Sequence, residues 1–158
     1  MTRITPCLWY HSEAIEAARF YVEHIPDSRI TRISDQNADS PGGAAGSVKT
    51  VEFTLAGTPI YAFSAPGPDS FGFAASLMIE CEDQAEIYRL WAILSEGGQT
   101  MECGWVRDRW GLCWQIMPKG MLDLMGDPDR VAAGRAAAAM LKMTRLDGAE
   151  IRRAFDGG

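Results

Sequence analysis

Apolar and polar positions change period several times along this chain, and each change predicts an element. Residues 3–10, RITPCLWY, form a β-rich run that reads as a strand. Behind it Ile15, Ala18, Tyr21, Val22 and Ile25 recur at helical spacing, with Ser12 placed as an N-cap and Pro26 and Asp27 as a stop. Residues 28–34, SRITRIS, alternate as a half-buried strand does. DQNADSPGGAAGS then breaks the periodicity, and so polar and glycine-rich a stretch predicts a mobile loop that does not pack. SVKTVEFTL and TPIYAFS follow as two strands joined into a hairpin by Ala56 and Gly57. Val51, Phe53 and Leu55 share the face expected to be buried; Val48, Thr50, Glu52 and Thr54 share the other.

The second half repeats this order. APGPDSFG is a turn-rich connector, AASLMIEC a strand, and DQAEIYRLWAILSEGG a helix. Asp83 and Glu86 form its capping pair, Ile87, Leu90, Trp91 and Leu94 its apolar stripe, and Gly97 with Gly98 its end. Short strands around TMECGWV and a closing strand in GLCWQIMP complete the unit. Residues 3–64 and 74–118 therefore each read strand, helix, then two or three strands, a repeat of order with little residue identity. Beyond them, DPDRVAAGRAAAAMLKM predicts a helix with Asp127 as cap and Pro128 at its first position, and LDGAEIRRAF a second. Met140, Leu141, Met143, Leu146, Ile151 and Phe155 give this tail an apolar surface that needs a docking site, another subunit being one candidate.

Composition narrows the function. A chain of 158 residues can bury roughly 70% of its extended surface in one core. Fifteen basic against twenty-one acidic residues give a net charge of −6, which opposes phosphate backbones and anionic lipid surfaces and excludes nucleic acid and membrane as expected partners. The N-terminus lacks the apolar core of a signal peptide, and nowhere do about 18 apolar residues run together, so a cytoplasmic protein is expected. Cys7, Cys81, Cys103 and Cys113 contain no C-x-x-C pair and read as reduced, buried thiols. His11 and His24 bracket the first helix about 20 Å apart, too far to clamp one metal ion, and read as surface or helix-end residues.

Several segments carry a resemblance: ITPCLWY, EAARFY, IPDSRI, GSVKTVEFTLAG, IECEDQ and CGWVRDRWGLCWQIMP. Over residues 3–118 they resemble the PhnB-like branch of the vicinal oxygen chelate superfamily, home of glyoxalase I, extradiol dioxygenases and bleomycin resistance proteins. Branch members often carry the designation 3-demethylubiquinone-9 3-methyltransferase, and the tail resembles an extension common among them. The resemblance implies an α+β fold of paired βαβββ modules forming a curved mixed sheet with a cavity, plus a C-terminal helical extension. The expected division is a domain of residues 1–126, with modules 3–64 and 74–118, and a tail of residues 127–158. It also implies a homodimer.

Enzymes of that superfamily hold a divalent metal inside the curved sheet. The resemblance places Gln115 where they carry a glutamate, Thr5 or Pro6 where they carry a histidine, and Tyr61 and Phe63 on the remaining strand. A neutral amide is a weak replacement for a carboxylate, so no metal and no cofactor is expected. The methyltransferase designation lacks support as well, since the glycines of PGGAAG lead into a strand rather than a helix N-terminus. Strand alternation puts Cys113, Gln115 and Met117 on one face of the last strand, Tyr61 and Phe63 together, and Cys7 with Trp9. These seven residues form the expected binding site of a metal-free homodimer for a small apolar or aromatic molecule. The competing expectations are a lyase or dioxygenase with a divalent metal held by Gln115, Glu52 or Glu80, and an interaction module docking through its tail. The charged RDR at 107–109 reads as a solvated turn.

Overall fold

The computed structural model describes residues 1–67 and 71–158; the middle of the predicted connector, residues 68–70, lies outside the described residues. The chain divides into two compact units, Met1–Ser70 and Phe71–Gly158, the second including the helical tail. Each unit is a βαβββ module, as the repeat of order predicts.

In the first unit, β1 (Cys7–Tyr10), α1 (Ala14–His24), β2 (Arg29–Asp35), β3 (Lys49–Leu55) and β4 (Thr58–Ser64) form a four-stranded sheet in the order β1-β4-β3-β2. β1 runs parallel to β4 and the other neighbours are antiparallel. Val51, Phe53 and Leu55 are buried, matching the strand parity, together with Ala14, Ala17, Ala18 and Tyr21 of α1. The β3–β4 turn places both Ala56 and Gly57 at positive φ, 45° and 77°, the twist that suits a two-residue hairpin.

Three details differ from the sequence expectations. Ser12 does not cap α1; Glu13 is the cap residue and the Ala14 N–H donates to Ser64 Oγ, fifty residues away. β2 is an edge strand, so its alternation covers nothing: Ile33 is 42% exposed. Residues 36–48 form a hydrogen-bonded loop. The Gln36 N–H donates to Val48 O, Gly46 N–H to Gln36 O, Ala45 N–H to Asp39 Oδ1, and Ser40 and Gly43 bond each other's backbones.

The second unit contains β5 (Leu77–Cys81), α2 (Gln84–Ser95), β6 (Gln99–Thr100), β7 (Trp105–Arg107) and β8 (Cys113–Pro118), in the order β5-β8-β7-β6. Asp83 caps α2 by accepting from the Glu86 N–H, and Ile87, Leu90, Trp91 and Leu94 are all buried, as the periodicity predicts. Arg107-Asp108-Arg109 is not a simple solvated turn. Asp108 is 4% exposed and accepts from the Trp110 and Leu112 N–H groups and from Trp114 Nε1, at 2.8–3.0 Å. Three donors for a buried carboxylate hold the turn against β8.

A short helix, α3 (Met121–Met125), precedes the two predicted tail helices, α4 (Arg130–Met140) and α5 (Gly148–Asp156). Asp129, not Asp127, caps α4, accepting from the Val131 and Ala132 N–H groups, while the Asp127 carboxylate accepts the Asp129 N–H. The tail's apolar side docks on its own unit: Met121, Leu124, Ala136, Leu146 and Ile151 bury Met117 of β8. Gln84 fastens the α4–α5 connection from both sides, donating to Leu146 O and accepting from the Gly148 N–H.

Candidate functional site

Cross-strand register turns the uncovered face of the first sheet into rows of side chains, because residues paired across a sheet share a face. One row is Trp9, Phe63, Thr50 and Ser34; the next is Cys7, Tyr61, Glu52 and Arg32; a third pairs Pro59, Thr54 and Arg29. The structure thus brings together four of the expected site residues: Cys7, Trp9, Tyr61 and Phe63. The rings of Trp9 and Phe63 lie 5.2 Å apart and those of Tyr61 and Phe63 6.5 Å apart, distances typical of packed aromatic pairs. Trp9 stays 41% exposed, so a large aromatic surface faces out of the protein's core. Its Nε1 is satisfied by Ala65 O at 2.9 Å, which fixes the ring.

This aromatic row floors a cavity of about 310 Å³. Its wall is the loop predicted to be mobile, through Gln36, Ser40, Pro41 and Gly42, with Val48 behind. Gly42 permits the close approach: a Cβ there would lie 3.1 Å from Val48 and 3.2 Å from Ala65. A second cavity of about 560 Å³ adjoins the same face beyond Tyr61, lined by Arg3, Thr5, Cys7, Glu52 and Thr54 among others. Sequence reasoning missed Gln36, Thr50 and Thr54. The parity of β3 did put Thr50 and Thr54 on the unburied face, but only the register shows them beside the aromatics.

The other expected site residues belong to the second unit. Cys113 and Met117 are buried at 0% and 1% exposure, Met117 inside the tail cluster. Gln115 is half-buried in a row with Met78 and Trp105, and its amide donates to Ser76 Oγ at 2.9 Å. Among the thiols, Cys7 is exposed rather than buried, Cys81 and Cys113 are buried, and all four are free. Burial pushes the Cys81 thiol up to about 12 and raises Cys113, so neither is a ready nucleophile. His11 is exposed, and His24 ends α1 with its ring 4.6 Å from that of Phe20.

A divalent metal fits these donors poorly. Among the described residues no three His, Cys, Asp or Glu side chains gather where an ion could be held. Glu52 is engaged by Arg32, which donates from Nε at 2.9 Å, and Glu80 accepts from the Gly120 N–H. Gln115 shares its strand face with Cys113, whose register partner is the cation Arg107. Ligation would need these groups released from their partners and the guanidinium displaced. The glycines of 41–46 sit between β2 and β3, not at a helix N-terminus, and so form no phosphate cradle. No helix among the described residues is long and apolar enough to cross a membrane.

A family model described as 3-demethylubiquinone-9 3-methyltransferase matches residues 2–117, ending where the tail begins. Among solved structures, the PhnB protein of Bacillus cereus is 27% identical, with a TM-score of 0.63, covering 74% of this chain and 99% of its own. Protein PA1353 of Pseudomonas aeruginosa is 20% identical, TM-score 0.57, covering 75% and 98%. The fosfomycin resistance protein FosX of Mesorhizobium loti shares the fold at 10% identity, TM-score 0.54, covering 80% and 98%. No curated protein matches the chain.

Proposed function

We propose a function from one premise: the chain belongs to the family described as 3-demethylubiquinone-9 3-methyltransferase, in the PhnB-like branch of the vicinal oxygen chelate superfamily. The protein binds a small, largely aromatic molecule without a metal ion, as a cytoplasmic homodimer, and carries out no methyl transfer. The observation that carries this reading is the aromatic patch of exposed Trp9 with half-buried Phe63 and Tyr61 under the loop of residues 36–42, an apolar concavity with a few hydrogen-bonding groups at its edge. Gln115, held by Ser76, supports the metal-free part, and family resemblance supports the homodimer.

Thermal shift across a panel of aromatic metabolites and drugs tests the reading, with Phe63→Ala as control. Stabilisation by a subset of compounds, lost in the variant, is expected. No shift from any compound would sink it. Elemental analysis of protein purified without chelators tests the metal-free part, and a full equivalent of a tightly held transition metal per chain would overturn that part alone.

A further inference from the structure

Resting on the binding function proposed above, we infer that the site has two compartments and that its ligand is an aromatic body carrying an anionic oxygen-rich head, such as a carboxylate. The aromatic compartment is the row of Trp9 and Phe63. The head compartment is the adjoining cavity beyond Tyr61, on the same sheet face, where Thr5, Thr54 and Arg3 meet.

Three observations lead there. Thr54 lines this cavity and its Oγ1 has no hydrogen-bond partner among the described residues, an unmet hydroxyl that a ligand head group would satisfy after rotation of the side chain into the cavity. The local charge is positive although the chain as a whole is acidic. Arg3 lines the compartment, Arg32 and Arg29 are the register partners of Glu52 and Thr54, and Glu52 is the one carboxylate among its lining residues, already paired with Arg32. Screening confines charge to about 8–10 Å at ordinary ionic strength, so these guanidiniums outweigh the distant acidic surface. Arg3 is itself held in place by Nε donating to Thr5 Oγ1. Finally, both cavities share Tyr61 as a wall, and the four residue steps from Thr50 to Thr54 span about 13 Å of strand, the length of a two-ring molecule with a head group.

Calorimetric titration with biphenyl-4-carboxylate, its carboxamide and biphenyl-4-methylammonium tests this against wild type, Thr54→Val, Arg3→Gln and Phe63→Ala. The carboxylate is expected to bind about tenfold tighter than the methylammonium. Thr54→Val should weaken carboxylate and carboxamide severalfold, and Thr54→Ser should restore them. Arg3→Gln should weaken the carboxylate only, and Phe63→Ala all three. Equal affinities for all three heads, with the loss on Phe63→Ala retained, would overturn the two-compartment inference and leave aromatic binding standing. Failure of all three to bind while other aromatic compounds stabilise the protein would overturn it likewise, and failure of every aromatic compound would remove the binding function itself.

Discussion

Gly67→Ala weighs on binding more than on stability at the site. A Cβ at Gly67 would lie 2.3 Å from the Trp9 ring, so the indole must move and its 2.9 Å bond to Ala65 O must break. The lost hydrogen bond costs about 1 kcal/mol. The displaced ring also loosens from Phe63, and a Cβ that has to push the indole aside forfeits the entropic gain alanine brings at an unstrained site. Folding stability should therefore fall by about 1–2 kcal/mol. Binding loses more: withdrawing an indole from beneath a ligand removes contacts worth about 1.5–3 kcal/mol, roughly tenfold to a hundredfold in affinity. Labelling with 5-fluorotryptophan gives five resonances, one per tryptophan. In the variant, the Trp9 signal should shift alone, the denaturation midpoint should fall modestly, and biphenyl-4-carboxylate affinity should fall roughly tenfold or more. A shifted Trp9 signal with unchanged affinity would refute the placement of the ligand on this ring.

Removing the acceptor in Asp108→Ala strands three donors, two of them buried, and should cost about 3–5 kcal/mol in urea denaturation, with Asp108→Asn milder because it keeps one acceptor oxygen. Met117→Ala opens a void under the tail and should cost about 3 kcal/mol, a fall of about 6–12 °C in Tm, while leaving the first unit's ligand affinity intact. The Cys81 thiol, raised from 9.0 to about 12 by burial, gives a pH signature. The unfolded chain releases this proton first, so the folded state loses stability as pH rises above about 9, a slope that Cys81→Ala should reduce.

Where one strand's parity or one helix's period decides burial, the sequence was readable. Val51, Phe53 and Leu55, or Ile87, Leu90 and Leu94, need only a cover on one side. Where the partner is remote, it was not. The donor–acceptor pair of Ala14 and Ser64 spans fifty residues, and the alternation of β2 says nothing of whether anything lies over it. The loop of residues 36–48 was hardest, because backbone groups close it and leave little trace in side-chain polarity. Trp9 and Phe63 were set on one face by alternation together with the family resemblance, and the register puts their rings side by side. Thr54 and Arg3 were not linked from the sequence, because they line one cavity only once the chain is folded.

The internal repeat explains why Gln115 is a weaker clue than it looks. Counted back from the last residues of the paired strands, Tyr10 with Ser64 and Cys81 with Pro118, Trp9 and Phe63 correspond to Glu80 and Met117, and Tyr61 corresponds to Gln115. In the first unit the Trp9–Phe63 row floors a cavity. In the second, the equivalent Met117 is buried under the tail helices, and Glu80 is tied to the turn leading into α3. One scaffold thus supports an open face in one unit and a face partly covered by tail helices in the other. Restoring the missing charge with Gln115→Glu should therefore create no metal site. The new carboxylate would sit among Met78, Trp105 and the Ser76 hydroxyl, without a second anionic or imidazole ligand in its row. Titration of the variant with nickel or manganese should show no binding tighter than the wild type. Micromolar affinity gained by that one substitution would mean that ligands stand ready around position 115 and that the amide alone keeps metal out of the wild-type protein.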